Sequence, residues 1–186
     1  MVRSAVVLPG RAFGPYAPLL FFAGVAAKAR GAAVEVVDWQ PPASWQPENE
    51  PTPAERSAWV LGEVTPVLDR QPGAPLLVGK SLGSFAAALA ASRQLPAIWY
   101  TPLLLDELVV KGLRASPAPF LLIGGTADVH AWDGGLARSL TPYVCEIPDA
   151  DHMLMVPTGL VASAAVLGEV TAAVESFLDE VVWPRD

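Results

Sequence analysis

Ser81, Asp128 and His152 are the three residue types that together turn a hydroxyl into a nucleophile for carbonyl carbon. Ser81 lies in Gly79-Lys80-Ser81-Leu82-Gly83, a G-x-S-x-G pentapeptide between the apolar run Pro75–Val78 and the alanine-rich stretch Phe85–Ala91. A strand that turns sharply into a helix at such a serine exposes its hydroxyl at the end of a sheet. The two glycines remove side chains that would clash where strand and helix pack closely. By composition alone the pentapeptide arises in about one chain in twenty of this size, so the strand and helix around it carry the argument. The bland alternative is a serine that only caps a helix.

A serine hydroxyl needs a base near neutral pH, and the sequence holds two histidines, His130 and His152. His152 follows an apolar strand-like run in Ile147-Pro148-Asp149-Ala150-Asp151-His152, which places it in a loop at the sheet's carboxyl end; the alternative is a loop histidine with a local capping role. His130 reads as a loop residue near the mouth of the site. The base in turn needs a carboxylate to fix its tautomer. Asp128 is chosen because Leu121–Ile123 opens into Gly124-Gly125-Thr126-Ala127-Asp128, a strand ending in a glycine turn. Asp133 competes for the role, Asp149 and Asp151 less so; turn formation or helix capping is their other reading.

Attack on a carbonyl also requires donors for the oxyanion. The backbone N–H of Leu82 is the first expected donor. The second is expected from Arg11 or Ala12, in the loop Leu8-Pro9-Gly10-Arg11-Ala12-Phe13-Gly14, unless Gly10 and Gly14 merely shape a turn. Trp39, Trp99, Tyr100 and Trp132 fall at strand ends and could wall an acyl pocket, although core packing accounts for any single aromatic equally well. Lys80 receives no role.

The elements that must position these residues alternate. Strands are expected at Ser4–Leu8, Ala33–Val37, Pro75–Gly79, Ala97–Tyr100, Phe120–Ile123 and Tyr143–Ile147. Helices are expected at Tyr16–Arg30, Pro53–Arg70, Ser81–Arg93, Asp106–Arg114, Gly134–Ser139 and Gly159–Val182. Thr52, Pro53 and Glu55 signal one helix start clearly. Alternation of this kind implies an α/β fold, a three-layer α/β/α sandwich around a mostly parallel, doubly wound sheet of about six strands. Such sheets bind ligands beyond the carboxyl ends of their strands. Residues 41–51 form the longest irregular stretch, a loop or a flap.

With 186 residues, the chain fits a single domain, 1–186, with one site. Apolar residues make up 52% and mean hydropathy is +0.38, yet the richest apolar run, Pro18–Ala27, is too short to cross a bilayer, so no membrane span is expected. The N-terminus lacks a signal-peptide pattern, and a cytoplasmic location is expected. Cys145, the single cysteine, excludes an internal disulfide and any multi-cysteine metal site, and reads as a small buried hydrophobe. A net charge of −7 with scattered basic residues argues against nucleic acid and anionic membrane partners. No metal or other cofactor is expected.

On the Gly79–Gly83 pentapeptide, the Gly124–Asp128 turn and the Asp151-His152 loop, the chain resembles the α/β-hydrolase superfamily over nearly its full length. Small bacterial members of the dienelactone-hydrolase-like kind are nearest in look. The resemblance implies a minimal hydrolase fold, with Ser81 as nucleophile, Asp128 and His152 completing the triad, and no cap, because Thr101–Leu105 runs almost directly into Asp106. Two departures stand out. Pro9-Gly10 replaces the familiar His-Gly pair of the oxyanion loop, and the chain opens on what corresponds to the family's third strand. The expected function is a serine hydrolase for carboxylic esters or thioesters, its substrate a small ester or an acyl group carried on a larger partner. Amidase, peroxyacid-forming and lyase chemistry stay open. So do a non-catalytic binding module on the same scaffold and a homo-oligomer that covers the open face.

Overall fold

In the computed structural model, which describes residues 2–45 and 48–184, the strands are β1 (Ser4–Leu8), β2 (Ala33–Val36), β3 (Leu76–Lys80), β4 (Ala97–Tyr100), β5 (Phe120–Gly125) and β6 (Val144–Ile147). They form one sheet in the order β2-β1-β3-β4-β5-β6, with every pairing parallel. The helices are α1 (Pro18–Ala29), α2 (Pro53–Asp69), α3 (Ala87–Arg93), α4 (Glu107–Arg114), α5 (Gly134–Leu140) and α6 (Leu160–Phe177).

Successive strand residues point to opposite faces, and two cores follow from that alternation. Ala5, Val7, Leu76, Val78, Ile98, Tyr100, Leu121 and Ile123 pack under α1 and α6. Val6, Leu8, Leu77, Ala97, Trp99, Phe120 and Leu122 pack under α2, α3, α4 and α5. The central strands are therefore apolar throughout, because both faces are covered. The winding reverses between β1, whose crossover leads to β2, and β3 on its other side. At such a switch point the loops after two neighbouring strands diverge and leave a crevice; here they are the Pro9–Gly14 loop and the turn at Ser81.

Helix starts follow local rules. Thr52 Oγ1 accepts the Glu55 N–H while Glu55 accepts the Thr52 N–H at 2.8 Å, a reciprocal capping box ahead of Pro53. Asp133, the competitor carboxylate, caps α5 by accepting the Leu136 N–H at 2.8 Å. The stretch expected as one helix over 81–93 begins as a 3-10 segment, Ser81–Ala86, and becomes α-helical at Ala87. Gly83 explains the tight winding: a Cβ there would sit 2.7 Å from the Leu8 carbonyl oxygen, so the segment is pressed against β1.

One expectation needs correction. Leu160–Val182, which is α6 plus a π-helical turn, spans 23 residues and reaches a mean hydropathy of 1.5, long and apolar enough to cross a bilayer. It is longer than Pro18–Ala27, the run on which the expectation of no membrane span was based. In the structure this helix lies along the sheet, where Val166, Val170, Val174, Phe177 and Leu178 join the core beneath α1.

Within the loop 41–51, Gln46 and Pro47 lie outside the described residues. Elsewhere in the loop, Trp45 packs on Trp59 of α2 at 4.9 Å between ring centroids, and Glu50 meets Arg11 at 2.6 Å.

Candidate active site

Ser81 is the first residue past β3 and carries φ of +49°, a left-handed conformation that a residue with a Cβ rarely adopts. The strain is held in place. Ser84 Oγ donates to the Ser81 carbonyl at 2.6 Å and accepts the Leu103 N–H at 3.2 Å, pinning the turn to the segment after β4. The Ser81 side chain is thereby presented at the sheet's carboxyl edge.

His152 Nε2 lies 2.9 Å from Ser81 Oγ, and its Nδ1 lies 2.6 Å from Asp128 Oδ2. A carboxylate oxygen accepts hydrogen bonds, so the contact suits the tautomer in which Nδ1–H donates a hydrogen bond to Asp128. Nε2 is then free to accept the Ser81 O–H. The Asp128 side chain is 2% exposed and that of His152 36% exposed, so the carboxylate is sealed while the imidazole meets solvent.

Two loops make this chain of contacts. Beyond β5, the Asp128 N–H donates to the Gly125 carbonyl, and the Asp128 carbonyl accepts the Trp132 N–H at 2.9 Å. Beyond β6, Asp151 Oδ1 accepts the N–H groups of Met153 and Met155 at 2.8 and 2.9 Å, folding a turn around His152. The loops dock on each other through Ala127 N–H to Ala150 carbonyl at 3.0 Å and Asp149 N–H to Thr126 Oγ1 at 2.8 Å. Asp149 and Asp151 are thus loop builders. Gly125 permits the docking, since a Cβ there would fall 2.1 Å from the Ala150 carbonyl oxygen. Gly125→Ala is expected to cost about 2–3 kcal/mol through backbone displacement and to pull His152 away from Ser81. Urea unfolding together with Ser81 labelling by a fluorophosphonate checks it: stability should fall, and labelling should fall more than the folded fraction does.

Lys80, which received no role from the sequence, is 1% exposed. Its Nζ donates to Thr101 Oγ1 at 2.9 Å and to the His152 carbonyl at 3.0 Å, and lies 4.9 Å from the centroid of the Phe13 ring. Burial brings its pKa down to about 8, against the opposing pull of Asp128 and Asp151. Thr101, a β-branched residue at φ of +38°, is held by Lys80 and by its own N–H to the Ile123 carbonyl. The signal available in the sequence was a lysine closing an otherwise apolar strand, Leu76–Gly79.

Of the expected oxyanion donors, Leu82 is the second residue of the 3-10 segment, in the first turn, where backbone N–H groups have no helical acceptor. Arg11 and Ala12 lie in a loop closed by the Gly10 N–H to the Phe13 carbonyl at 3.1 Å. The loop flanks the serine, because a Cβ on Gly10 would be 3.7 Å from Ser81 Cβ. The Arg11 side chain points away, to Glu50.

The expected aromatic pocket does not form. Trp99 and Tyr100 are each 1% exposed; the alternation of β4 drives Trp99 onto Gly79, where a Cβ would lie 2.5 Å from the ring, and Tyr100 into the core under α1 and α6. Trp132 covers Gly124 and donates its indole N–H to Glu146 at 2.7 Å. Trp39 donates to the Pro9 carbonyl at 2.8 Å and packs at a tilt against Trp59, which makes it an anchor for the loop after β1. His130 is exposed. Cys145 is half-buried, and burial lifts its thiol to about 11, consistent with a packing residue.

No protein-family model and no curated protein matches the chain. Solved structures do. A lidless α/β serine hydrolase from Xanthomonas campestris superposes with a TM-score of 0.61 at 15% identity, over 96% of this chain and 82% of that one. This chain has the lidless α/β-hydrolase fold. Est1E from Butyrivibrio proteoclasticus gives a TM-score of 0.71 at 13% identity, over 98% and 89% of the two chains. A candidate α/β hydrolase of unknown function from Agrobacterium tumefaciens gives 0.69 at 18% identity, over 100% and 89%. The six-stranded parallel sheet expected of this α/β-hydrolase fold is thus present.

Proposed function

We propose that this α/β-hydrolase-fold protein is a serine hydrolase of carboxylic esters or thioesters, with Ser81, His152 and Asp128 as its catalytic residues. The observation that carries the reading is the continuous contact from Ser81 Oγ through both ring nitrogens of His152 to the buried Asp128 carboxylate. Structural and turn-forming roles do not require that alignment of three separate strand ends.

The chemistry follows the contacts. Ser81 Oγ bonds to the carbonyl carbon as His152 Nε2 takes its proton, and Asp128 stabilises the imidazolium. The oxyanion is received by the Leu82 N–H and by a backbone N–H of the Arg11–Ala12 turn, each such donor worth about 3–4 kcal/mol in a comparable enzyme. The bond from carbonyl carbon to the leaving oxygen or sulfur breaks as His152 hands that atom the proton. Water then attacks the acyl-enzyme, His152 takes its proton and returns it to Ser81 Oγ, and the acid departs. Ester and water in, acid and alcohol or thiol out, closes the balance.

The reading predicts biphasic hydrolysis of activated acetate esters: a burst of one leaving group per chain as Ser81 acylates, then slower turnover. Rapid-mixing measurement of p-nitrophenol release checks it. Release without a burst, and unchanged in Ser81→Ala, would mean that the observed hydrolysis does not pass through Ser81.

A further inference from the structure

We propose that the apolar cleft beside His152 seats the acyl group of the substrate, an uncharged aliphatic chain of medium length, while the leaving group occupies the open face. The proposal rests on the serine-hydrolase reading and adds the substrate class to it.

The cleft has a volume of about 510 Å³ and is walled by Phe13, Leu19, Met153, Met155, Leu160 and Leu167. Its one polar side chain, Ser163, is already committed: the hydroxyl donates to the Gly159 carbonyl at 3.0 Å and accepts the Val156 N–H at 3.1 Å. Nothing in the walls can hydrogen-bond a sugar or pair with a charge, so burying either there would leave it unsatisfied. A chain of CH₂ groups carries no such penalty, and methionine side chains adapt to its shape. Met153 and Met155 are 44% and 40% exposed, an unusual outlay of apolar surface for a loop that carries a candidate catalytic base.

The cleft is lined from two loops that also flank the site, the one after β1 and the one that carries His152. Met153 directly follows His152, and Phe13 Cβ is 3.1 Å from the Cβ position of Gly10, itself 3.7 Å from Ser81 Cβ. The larger cleft along α4, about 790 Å³, includes Glu107, Lys111 and Arg114 and none of the loops that carry Ser81, Asp128 or His152.

Assignment to the acyl part rather than the alcohol follows from the order of events. In the second half-reaction water must approach from the side faced by His152 Nε2, the position the leaving group has vacated. A cleft walled by hydrocarbon is a poor route for water. The group it holds is therefore the one that stays bonded to Ser81 through both halves.

The test is kcat/KM of the full chain on two series: p-nitrophenyl esters from acetate to octanoate, and acetate esters whose alcohol lengthens over the same range. A fluorophosphonate titration counts reactive Ser81 in each preparation. The proposal expects a rise of about two- to fourfold per methylene along the acyl series, levelling near hexanoate to octanoate, with the alcohol series flat. Ala164→Trp, on the exposed face of α6 and in the cleft wall, should lower the octanoate-to-acetate ratio at least tenfold. A flat acyl series, a rise along the alcohol series alone, or a wild-type ratio in Ala164→Trp overturns the proposal while Ser81 still titrates. If Ser81 does not titrate at all, the hydrolase reading itself fails and the acyl seat with it.

Discussion

Replacing His152 by alanine is expected to lower kcat/KM for a short activated ester by about 10,000- to 1,000,000-fold, the range found when a triad member is removed from a serine hydrolase. Ser81 then has no acceptor for its proton, and the Asp128 carboxylate, sealed beneath the loop, has no other role in the reaction. Ser81→Ala should fall by a similar factor, and the double variant hardly further, because the two residues act as one unit. Asp128→Asn should cost about 10,000-fold for a different reason: an amide can donate toward Nδ1 and so favours the tautomer whose Nε2 carries the proton and cannot accept one from Ser81. Steady-state kinetics on the four variants, with near-ultraviolet circular dichroism to show retained packing, checks the pattern. Additive losses in the double variant would contradict it.

The second large effect belongs to Lys80. Its Nζ holds the backbone carbonyl of His152, so on the proposed mechanism Lys80 is a positioning residue, acting through the loop that carries the candidate base. Lys80→Met keeps the length of the side chain and removes the donor. A base displaced by about 1 Å can cost about 100-fold in rate, and the loss should fall on kcat with KM nearly unchanged. A role confined to fold stability would instead lower the fraction of active protein and leave kcat per titrated Ser81 intact.

The same lysine has a pH signature. Burial lowers its folded-state pKa to about 8 from the ordinary lysine value of 10.5, so the charged form is disfavoured in the folded chain. Below pH 8 both folded and unfolded states hold the proton and the desolvation cost is present in full. Between pH 8 and about 10.5 the unfolded state binds more protons, and stability rises with pH; above that range both are neutral and the gain levels off. The wild type should therefore gain stability relative to Lys80→Met across that window, by on the order of 3 kcal/mol at most. Urea midpoints at pH 7, 8, 9 and 10 give the difference directly. A difference that stays constant, or shrinks as pH rises, would show that Lys80 is not held in a desolvated site.

Much of this was legible in the sequence, and the limits have physical reasons. The bounds of β1 and β4 could be read directly, because short apolar runs between helix-length segments have few alternatives in a parallel sheet. The positions of Ser81, Asp128 and His152 could be read because each follows a strand, and parallel strands deliver their ends to one edge. Trp99 and Tyr100 misled because they also sit at a strand end; period-two alternation, with both faces covered, buries one on each side of the sheet. Trp39 was misread because its partner, the Pro9 carbonyl, is 30 residues away. Lys80 carried only a faint signal, a lysine at the end of an apolar strand, because what buries it, Phe13 and the His152 loop, comes from distant segments. The cleft draws on residues around 13–19 and 153–167, so only the packing of α1 against α6 reveals it.

The most direct test of the central claim is intact mass after treatment with a fluorophosphonate, for the wild type, Ser81→Ala and His152→Ala. The account predicts one adduct per wild-type chain, mapped to the peptide containing Ser81, and none in either variant. A well-folded wild type that gains no adduct, or an adduct that persists in Ser81→Ala, would contradict it and favour a binding role for this scaffold.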